Sequence, residues 1–468
     1  MGYVDSVDSF DVVVLGAGSA GEWVAGNVAE RGRRVALVEQ LRVGGECPYV
    51  ACIPSKALLR SAHARQSARH LDRVGGASEP LSLDPDRAAW QAAVRRRDKL
   101  SAHRDDARKA AEVQERGVTL LRGTGRIRGQ GVVVSGPAGE CEISYRDLVV
   151  ATGSAPVIPP IEGLADVPTW TSDEALSAPD YPGSLIILGG GPVGCELAQV
   201  YAGFGVTVTL IQSAPQLARD TEPEVAAGLA RILQADGVTL RLQAQVVRVE
   251  AAAGGVRARL ADGTVTTADR ILLAAGRAPS AGGLGLEELG IDLTSTGAVP
   301  VDDHCRVPGH PHLWAAGDVT GLAPFTHGAN YQARVVTGNL LGEDLTADYS
   351  AIPRVAFTEP ALASVGLTAA RARAAGIDVM TAKANLAHEA RAVTDGAAAG
   401  MLVLVADRKA RTLIGASALG PGADSWIAEA TVAIRGRVPI STLAEVVHAF
   451  PTIGEGIEVP LRELARLS

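Results

Sequence analysis

Asp11-Val-Val-Val-Leu-Gly-Ala-Gly-Ser-Ala-Gly21 is the stretch on which the architecture turns. Its first five residues form a nearly continuous apolar run, the pattern of a central parallel strand covered on both faces. Gly16, Gly18 and Gly21 follow at GxGxxG spacing, and Ala20 to Arg31 reads as a helix. A second strand, Arg34 to Val38, ends at Glu39. A tight glycine turn of this kind brings backbone N–H groups and a helix N-terminus to a pyrophosphate, and the acidic strand end accepts hydrogen bonds from a ribose. The glycine spacing alone is weak evidence. Strand, turn, helix, strand and acid in that order predict a bound adenine dinucleotide.

The pattern recurs. Ser184-Leu-Ile-Ile-Leu188 leads into Gly189, Gly191 and Gly194, a helix through Cys195 to Phe204, and a strand from Thr207 to Ile211. This predicts a second dinucleotide, most simply a nicotinamide cofactor. Its strand ends in Gln212, which forfeits the carboxylate–ribose pair that favours NAD and does not repel a 2′-phosphate. Arg219 could approach such a phosphate, so the reading leans to NADPH over NADH. Downstream, His312-Leu-Trp-Ala-Ala-Gly-Asp318 is an apolar strand ending in Gly317 and Asp318. An acid there suits the ribityl chain of a flavin, which makes the first cofactor domain discontinuous. The strand-to-turn junctions Ala151–Ser154 and Ala274–Arg277 add Thr152, Gly153 and Gly276 to the candidate cofactor contacts, with Gly45 ahead of the first cysteine.

Gly44-Gly-Glu-Cys-Pro-Tyr-Val-Ala-Cys-Ile-Pro-Ser-Lys56 carries Cys47 and Cys52. Two thiols separated by four residues close a ring only where the backbone between them is helical or tightly wound. Beside a flavin such a pair can accept two electrons and release them. Cys141, Cys195 and Cys305 are isolated, so neither a disulfide framework nor a metal site is expected.

The 468 residues exceed a single core, and two to four domains are expected. A formal charge of −8 leaves no global basic field for nucleic acid. Arg95-Arg-Arg97 lies among Asp98, Asp105 and Asp106 and reads as a solvated face of a long, exposed amphipathic helix over Asp86 to Glu115. No run reaches the ~20 apolar residues of a membrane span. Met1 to Phe10 shows no leader pattern, which predicts a cytoplasmic protein. Ser154-Ala-Pro-Val-Ile-Pro-Pro reads as a linker. Beyond Tyr349 the pattern becomes mixed: strands at Met401–Ala406 and Arg411–Leu419, helices at Trp426–Arg435 and Ile440–Ala449.

With both fingerprints, the cysteine pair and the Gly-Asp step in this order, nearly the full chain resembles the FAD-dependent pyridine nucleotide–disulfide oxidoreductases. That group includes lipoamide dehydrogenase, glutathione reductase and mercuric reductase. The resemblance implies an α/β protein with two Rossmann-like dinucleotide-binding domains, the second inserted in the first, plus a C-terminal α+β dimerisation domain. The expected divisions are 1–153 with 281–348 for FAD, 154–280 for NAD(P), and 349–468 for the interface of a homodimer. It further implies that Cys47 is the interchange thiol and Cys52 the thiol against the flavin. Lys56 and Glu196 match the lysine near the flavin N5 region and its acidic partner.

The chain departs from the family at Val447-His-Ala-Phe-Pro-Thr-Ile-Gly-Glu455. A histidine that protonates the departing thiol normally stands where this chain has Phe450, with a glutamate at the place of Glu455. Loss of such a group typically costs ~10²–10⁴ in rate. His448 is the candidate substitute, though a packing or surface role suits it better. Pro451 is expected to keep the family's cis bond. The apparatus for reducing FAD looks complete, whereas that for a large disulfide looks damaged. A small acceptor that needs no general acid, above all a quinone stacking on Phe450, fits best. The alternatives are a lipoamide or other disulfide reductase, a metal-ion reductase working through the two thiols, and a non-catalytic redox sensor.

Overall fold

A computed structural model describes residues 8–137, 139–396 and 400–467. Residues 1–7, on which the reading of the N-terminus partly rests, lie outside the described residues. The protein is α/β, and the chain divides into two compact units. One is assembled from Met1–Pro54, Asp98–Val157 and Arg277–Tyr349, the other from Ser55–Arg97, Ile158–Gly276 and Ser350–Ser468.

The first unit is built on a seven-stranded sheet. Strand Asp8–Leu15 lies at its centre, parallel to Val35–Glu39 on one side and to Gly139–Val150 on the other. Thr119–Arg122 extends the parallel edge, Gly131–Gly136 and Thr124–Arg128 add antiparallel strands, and Leu313–Ala315 pairs with Gly139–Val150. The apolar run is apolar throughout because both faces are covered. Val12 and Val14 pack with helices Ser19–Ala29 and Thr326–Leu340, while Val13 and Leu15 pack with Ile127, Leu148 and Leu286.

The second unit holds a five-stranded parallel sheet in the order Thr239–Leu242, Thr207–Gln212, Ser184–Leu188, Arg270–Leu273, Thr169–Trp170. Ser184–Leu188 repeats the two-sided burial, with Leu185 and Ile187 in one core and Ile186 and Leu188 in another. The same unit contains an antiparallel five-stranded sheet, Arg354–Ala356, Ala361–Gly366, Thr412–Gly420, Met401–Asp407 and Val379–Asn385.

Three expectations are corrected. The segment Asp86 to Glu115 is two helices, Asp86–Leu100 and Ala107–Glu115. Ala102, His103 and Arg104 between them all have positive φ, and Asp105 accepts the N–H of Ala107 at 2.9 Å to open the second helix. The first helix is solvated at Arg95 and Arg96 but not along its other face. Trp90 is fully buried against Tyr181, Tyr201 and Phe204. Arg97 is fully buried too, donating to the carbonyls of Ser177, the last residue of helix Ser172–Ser177, and of Ala178, its C-cap, where a cation meets the negative helix end. The predicted helix Ile440–Ala449 is helical only over Ile440–Leu443. Beyond it the backbone N–H of His448 goes to Glu458 at 3.3 Å instead of to the preceding turn.

Candidate functional site

The two glycine loops are built alike. A Cβ on Gly21 would run into the carbonyl oxygen of Gly16, and one on Gly194 into that of Gly189, so both positions require glycine for the helix to start this close to the strand. A Cβ on Gly18 or Gly191 would meet no protein atom within 4 Å. These two residues are the N-caps of helices Ser19–Ala29 and Pro192–Gly203, and neither helix start receives a side-chain cap. Uncapped N–H groups beside empty space suit a phosphate, and both loops fit the dinucleotides predicted for them.

Glu39 is buried, with Oε2 accepting the N–H of Ala17 at 2.7 Å and Oε1 that of Leu41 at 2.6 Å. Gln212 makes the matching contact in the second unit: Oε1 accepts Gly190 N–H at 3.2 Å, and Nε2 donates to Gln216 O at 3.3 Å. Arg219 lies exposed beyond it.

In the first unit the cysteine segment is fastened to the glycine loop. Gly44 N donates to Ala17 O at 2.7 Å, and Gly45, at φ +69°, packs on Gly18. Val43 N donates to Asp106, which also pairs with Arg122 at 2.8 Å. Burial pushes the Asp106 carboxyl up, yet Arg122 and Val43 outweigh it and hold it below the usual carboxylate range. Burial, aided by Asp106, raises Tyr49 to about 12, so its hydroxyl stays protonated and donates to Val43 O at 3.0 Å. Cys47 lies in the winding before helix Cys52–Arg69, where Ile53 N reaches back to Cys47 O at 3.0 Å. Both cysteines are half-buried. Cys52 opens the helix, where the positive helix end favours a thiolate, and its Sγ lies 3.5 Å from the Thr326 hydroxyl. By contrast, burial pushes the Cys195 and Cys305 thiols up to about 12 and about 11, so both stay protonated at neutral pH.

The turn at Gly317 and Asp318 is held from two sides. Gln332, fully buried, accepts Gly317 N–H at 2.7 Å, and Ser154 Oγ donates to Asp318 Oδ2 at 2.6 Å. Arg277 grips Ser154 through Nε to Oγ (2.8 Å) and Nη2 to O (2.6 Å), and Nη2 also reaches Glu46 at 2.7 Å. Thr152 Oγ1 donates to Ser280 O at 2.7 Å, and Gly153 beside it has a φ of +72°. Gly276, in the second unit, has a φ of +118°. The sequence alone does not single out Arg277, Glu46, Gln332 or Thr326. Of these, Glu46 has a local signal, as an acid within an otherwise uncharged turn beside Cys47.

In the second unit Lys56 Nζ lies 2.8 Å from Glu196 Oε2, joining residues 140 positions apart. The partner carboxylate is 6% exposed. Its other oxygen accepts the backbone N–H of Phe357 at 3.0 Å. The C-terminal loop does something different. Phe450 is 76% exposed and precedes a cis Pro451. Glu455 exchanges hydrogen bonds with Thr452, N to Oε1 and N to Oγ1 both at 3.2 Å, closing a turn. His448 has both ring nitrogens engaged, Nδ1 3.0 Å from Glu458 and Nε2 3.0 Å from Glu429. In this arrangement both ring nitrogens face carboxylates of the same unit.

Among the described residues no helix is long and apolar enough to cross a membrane. Residues 10–333 match the family model of the pyridine nucleotide-disulphide oxidoreductases, and residues 352–460 match that family's dimerisation domain, which supports a homodimer. A mercuric reductase of Streptomyces lividans is 35% identical over 98% of this chain and 98% of its own. A dihydrolipoyl dehydrogenase of Geobacillus stearothermophilus is 33% identical over 95% and 94%. Among solved structures, the Cu(II) complex of the HOCl-induced flavoprotein disulfide reductase RclA from Escherichia coli superimposes with a TM-score of 0.83 at 28% identity, covering 98% of this chain and 100% of that one. LpdA from Mycobacterium tuberculosis gives 0.84 at 26%, with 98% and 100% covered.

Proposed function

Because this chain belongs to the pyridine nucleotide-disulphide oxidoreductase family, whose members bind FAD and NAD(P)H, we propose that it passes electrons from NADPH to a small acceptor of the quinone class. Bound FAD supplies the two-electron exchange with the nicotinamide. The chain's own residues supply position and field. The first glycine loop, Glu39 and Asp318 hold the flavin dinucleotide within residues 1–153 and 281–348. The second loop and Gln212 take the nicotinamide cofactor within 154–280, and 349–468 form the interface. Cys47 and Cys52 form the redox pair, and the Lys56–Glu196 pair sets a fixed cation near the flavin.

The observation that carries the acceptor is Phe450. It is an exposed aromatic ring where the family has its proton donor. Neither Glu455, turned onto Thr452, nor His448, held between two carboxylates, replaces that donor. A quinone accepts electrons without a general acid at this point, and a flat ring suits the face of a phenylalanine. The test is an anaerobic comparison, with NADPH in excess, of benzoquinone and oxidised lipoamide. Strong quinone turnover with negligible disulfide turnover supports the reading, and fast lipoamide reduction overturns it.

A second reading has its own support. One relative is named mercuric reductase, and one similar structure is a Cu(II) complex. On this reading the Cys47–Cys52 thiols receive a thiophilic metal ion as substrate. Adding Hg(II) and Cu(II) to the same assay, with Cys47→Ser as control, separates it from the first, because metal turnover would vanish in the variant.

A further inference from the structure

Glu196 divides its carboxylate between two groups, Lys56 Nζ at 2.8 Å and the backbone N–H of Phe357 at 3.0 Å. The Phe357 ring then lies against the same lysine, with the ammonium 4.6 Å from the ring centroid. One aromatic residue thus touches the Lys56–Glu196 pair twice, at the anion through its backbone and at the cation through its ring face. The backbone two residues beyond the ring is fastened as well. Gln199, one turn beyond Glu196 on helix Pro192–Gly203, accepts the N–H of Glu359 at 2.8 Å and donates to the Glu359 carbonyl at 2.9 Å. The segment 357–359 therefore has little freedom to carry the ring away.

Such a clamp matters because Lys56 has somewhere else to go. Its side chain is 37% exposed and borders a surface recess of about 200 Å³ that is also lined by Arg60, His63, Phe357, Glu359 and Asp424. Asp424 and Glu359, the latter 3.7 Å from His63 Nδ1, are the carboxylates that an ammonium released from Glu196 would meet there. A lysine carries four rotatable bonds and a compact charge, so a single ion pair does not fix it. A ring face adds attraction in one direction only. Phe357 is itself 37% exposed, more than a side chain whose main work is filling a core.

We propose that Phe357 is a positioning residue that keeps the Lys56 ammonium on Glu196 and out of the recess holding Glu359 and Asp424. The significance of that position rests on the role given to Lys56 under Proposed function. Phe357→Leu keeps the apolar bulk and removes the ring face, whereas Phe357→Tyr keeps both.

The test uses the FAD-loaded protein and two readouts. One is the rate of flavin reduction by NADPH in single turnover. The other is acylation of Lys56 by an acetyl N-hydroxysuccinimide ester, followed by peptide mass spectrometry. Phe357→Leu is expected to slow reduction roughly 3- to 10-fold and to quicken acylation by a similar factor, the range of one cation–π contact. Phe357→Tyr should stay within about twofold of the parent in both. Adding Glu359→Gln and Asp424→Asn to Phe357→Leu should restore reduction, since the competing carboxylates are gone; loss of packing alone would not be rescued this way. Lys56→Met separates the layers. If it leaves flavin reduction unchanged, the role given to Lys56 fails, and the acylation readout alone decides the positioning. If it slows reduction while Phe357→Leu changes neither readout, the positioning role is overturned.

Discussion

His448 and Glu429 form a charge-assisted pair, Nε2 3.0 Å from Oε2, while the other ring nitrogen faces Glu458 at the same distance. A neutral imidazole has one N–H, so satisfying both carboxylates requires the imidazolium. Burial pulls its pKa down, but Glu429 and then Glu458 outweigh that and raise it above the ordinary value. A raised folded-state pKa contributes stability that is complete below the ordinary value of about 6.5 and is lost as pH climbs through the folded value. His448→Gln should therefore lower Tm most near pH 6 or below. The gap to the parent should narrow as the pH is taken well into the alkaline range. A gap independent of pH would show that the ring contributes by packing alone.

Arg277 ties Glu46, beside Cys47, to Ser154, which in turn donates to Asp318. The planar fork makes these contacts at once, and lysine cannot reproduce them. Both Arg277→Lys and Arg277→Gln should weaken FAD binding roughly 10- to 150-fold, about 1.5–3 kcal/mol for hydrogen bonds to a charged group. Recovery of flavin fluorescence on dilution measures the loss. An unchanged affinity for Arg277→Lys would mean that charge, not the fork, holds the turn.

Much of this arrangement is local in sequence and therefore legible in it. The glycine loops, their apolar strands and the cysteine segment are each encoded within about thirty residues, because a dinucleotide turn needs its strand, glycines and helix in direct succession. What escaped reading is what depends on distant partners. Arg277 meets Glu46 across 231 positions and Thr326 meets Cys52 across 274, and neither contact is announced by a local pattern. The misread helix over Asp86 to Glu115 failed for a related reason. Its apolar spacing continues through Ala102, His103 and Arg104, which contain no Gly or Pro, yet all three adopt positive φ. Arg97 read as a solvated cation because its carbonyl partners at Ser177 and Ala178 lie some eighty residues away.

Phe450 is the position where one substitution should move the choice of acceptor. Phe450→His returns a proton donor to a loop that keeps its cis Pro451. Glu455, which would orient the ring, is engaged with Thr452. The gain in oxidised-lipoamide turnover should thus fall at or below about 10²-fold, the lower end for general acid catalysis. Steady-state kcat/KM for lipoamide and benzoquinone, taken on the same preparation, gives the ratio. A ratio that does not rise would place the barrier to disulfides elsewhere.

Gln212 is the residue on which the choice between NADPH and NADH should turn. Its Oε1 accepts Gly190 N–H and its Nε2 donates to Gln216 O, so the amide is held at the strand end by both of its polar atoms. Glu39 shows that a carboxylate in the corresponding place of the first unit makes the same loop contact. Gln212→Glu should therefore keep the contact with Gly190, lose the one with Gln216, and set a negative charge where a 2′-phosphate would lie. Two like charges about 4 Å apart near a protein surface repel by about 1–4 kcal/mol. NADPH kcat/KM should fall at least about fivefold relative to NADH. Gln212→Ala controls for the lost hydrogen bonds, since it should weaken both cofactors alike. If Gln212→Glu leaves the ratio where it was, the 2′-position is read by another group, and the exposed Arg219 is the next to remove.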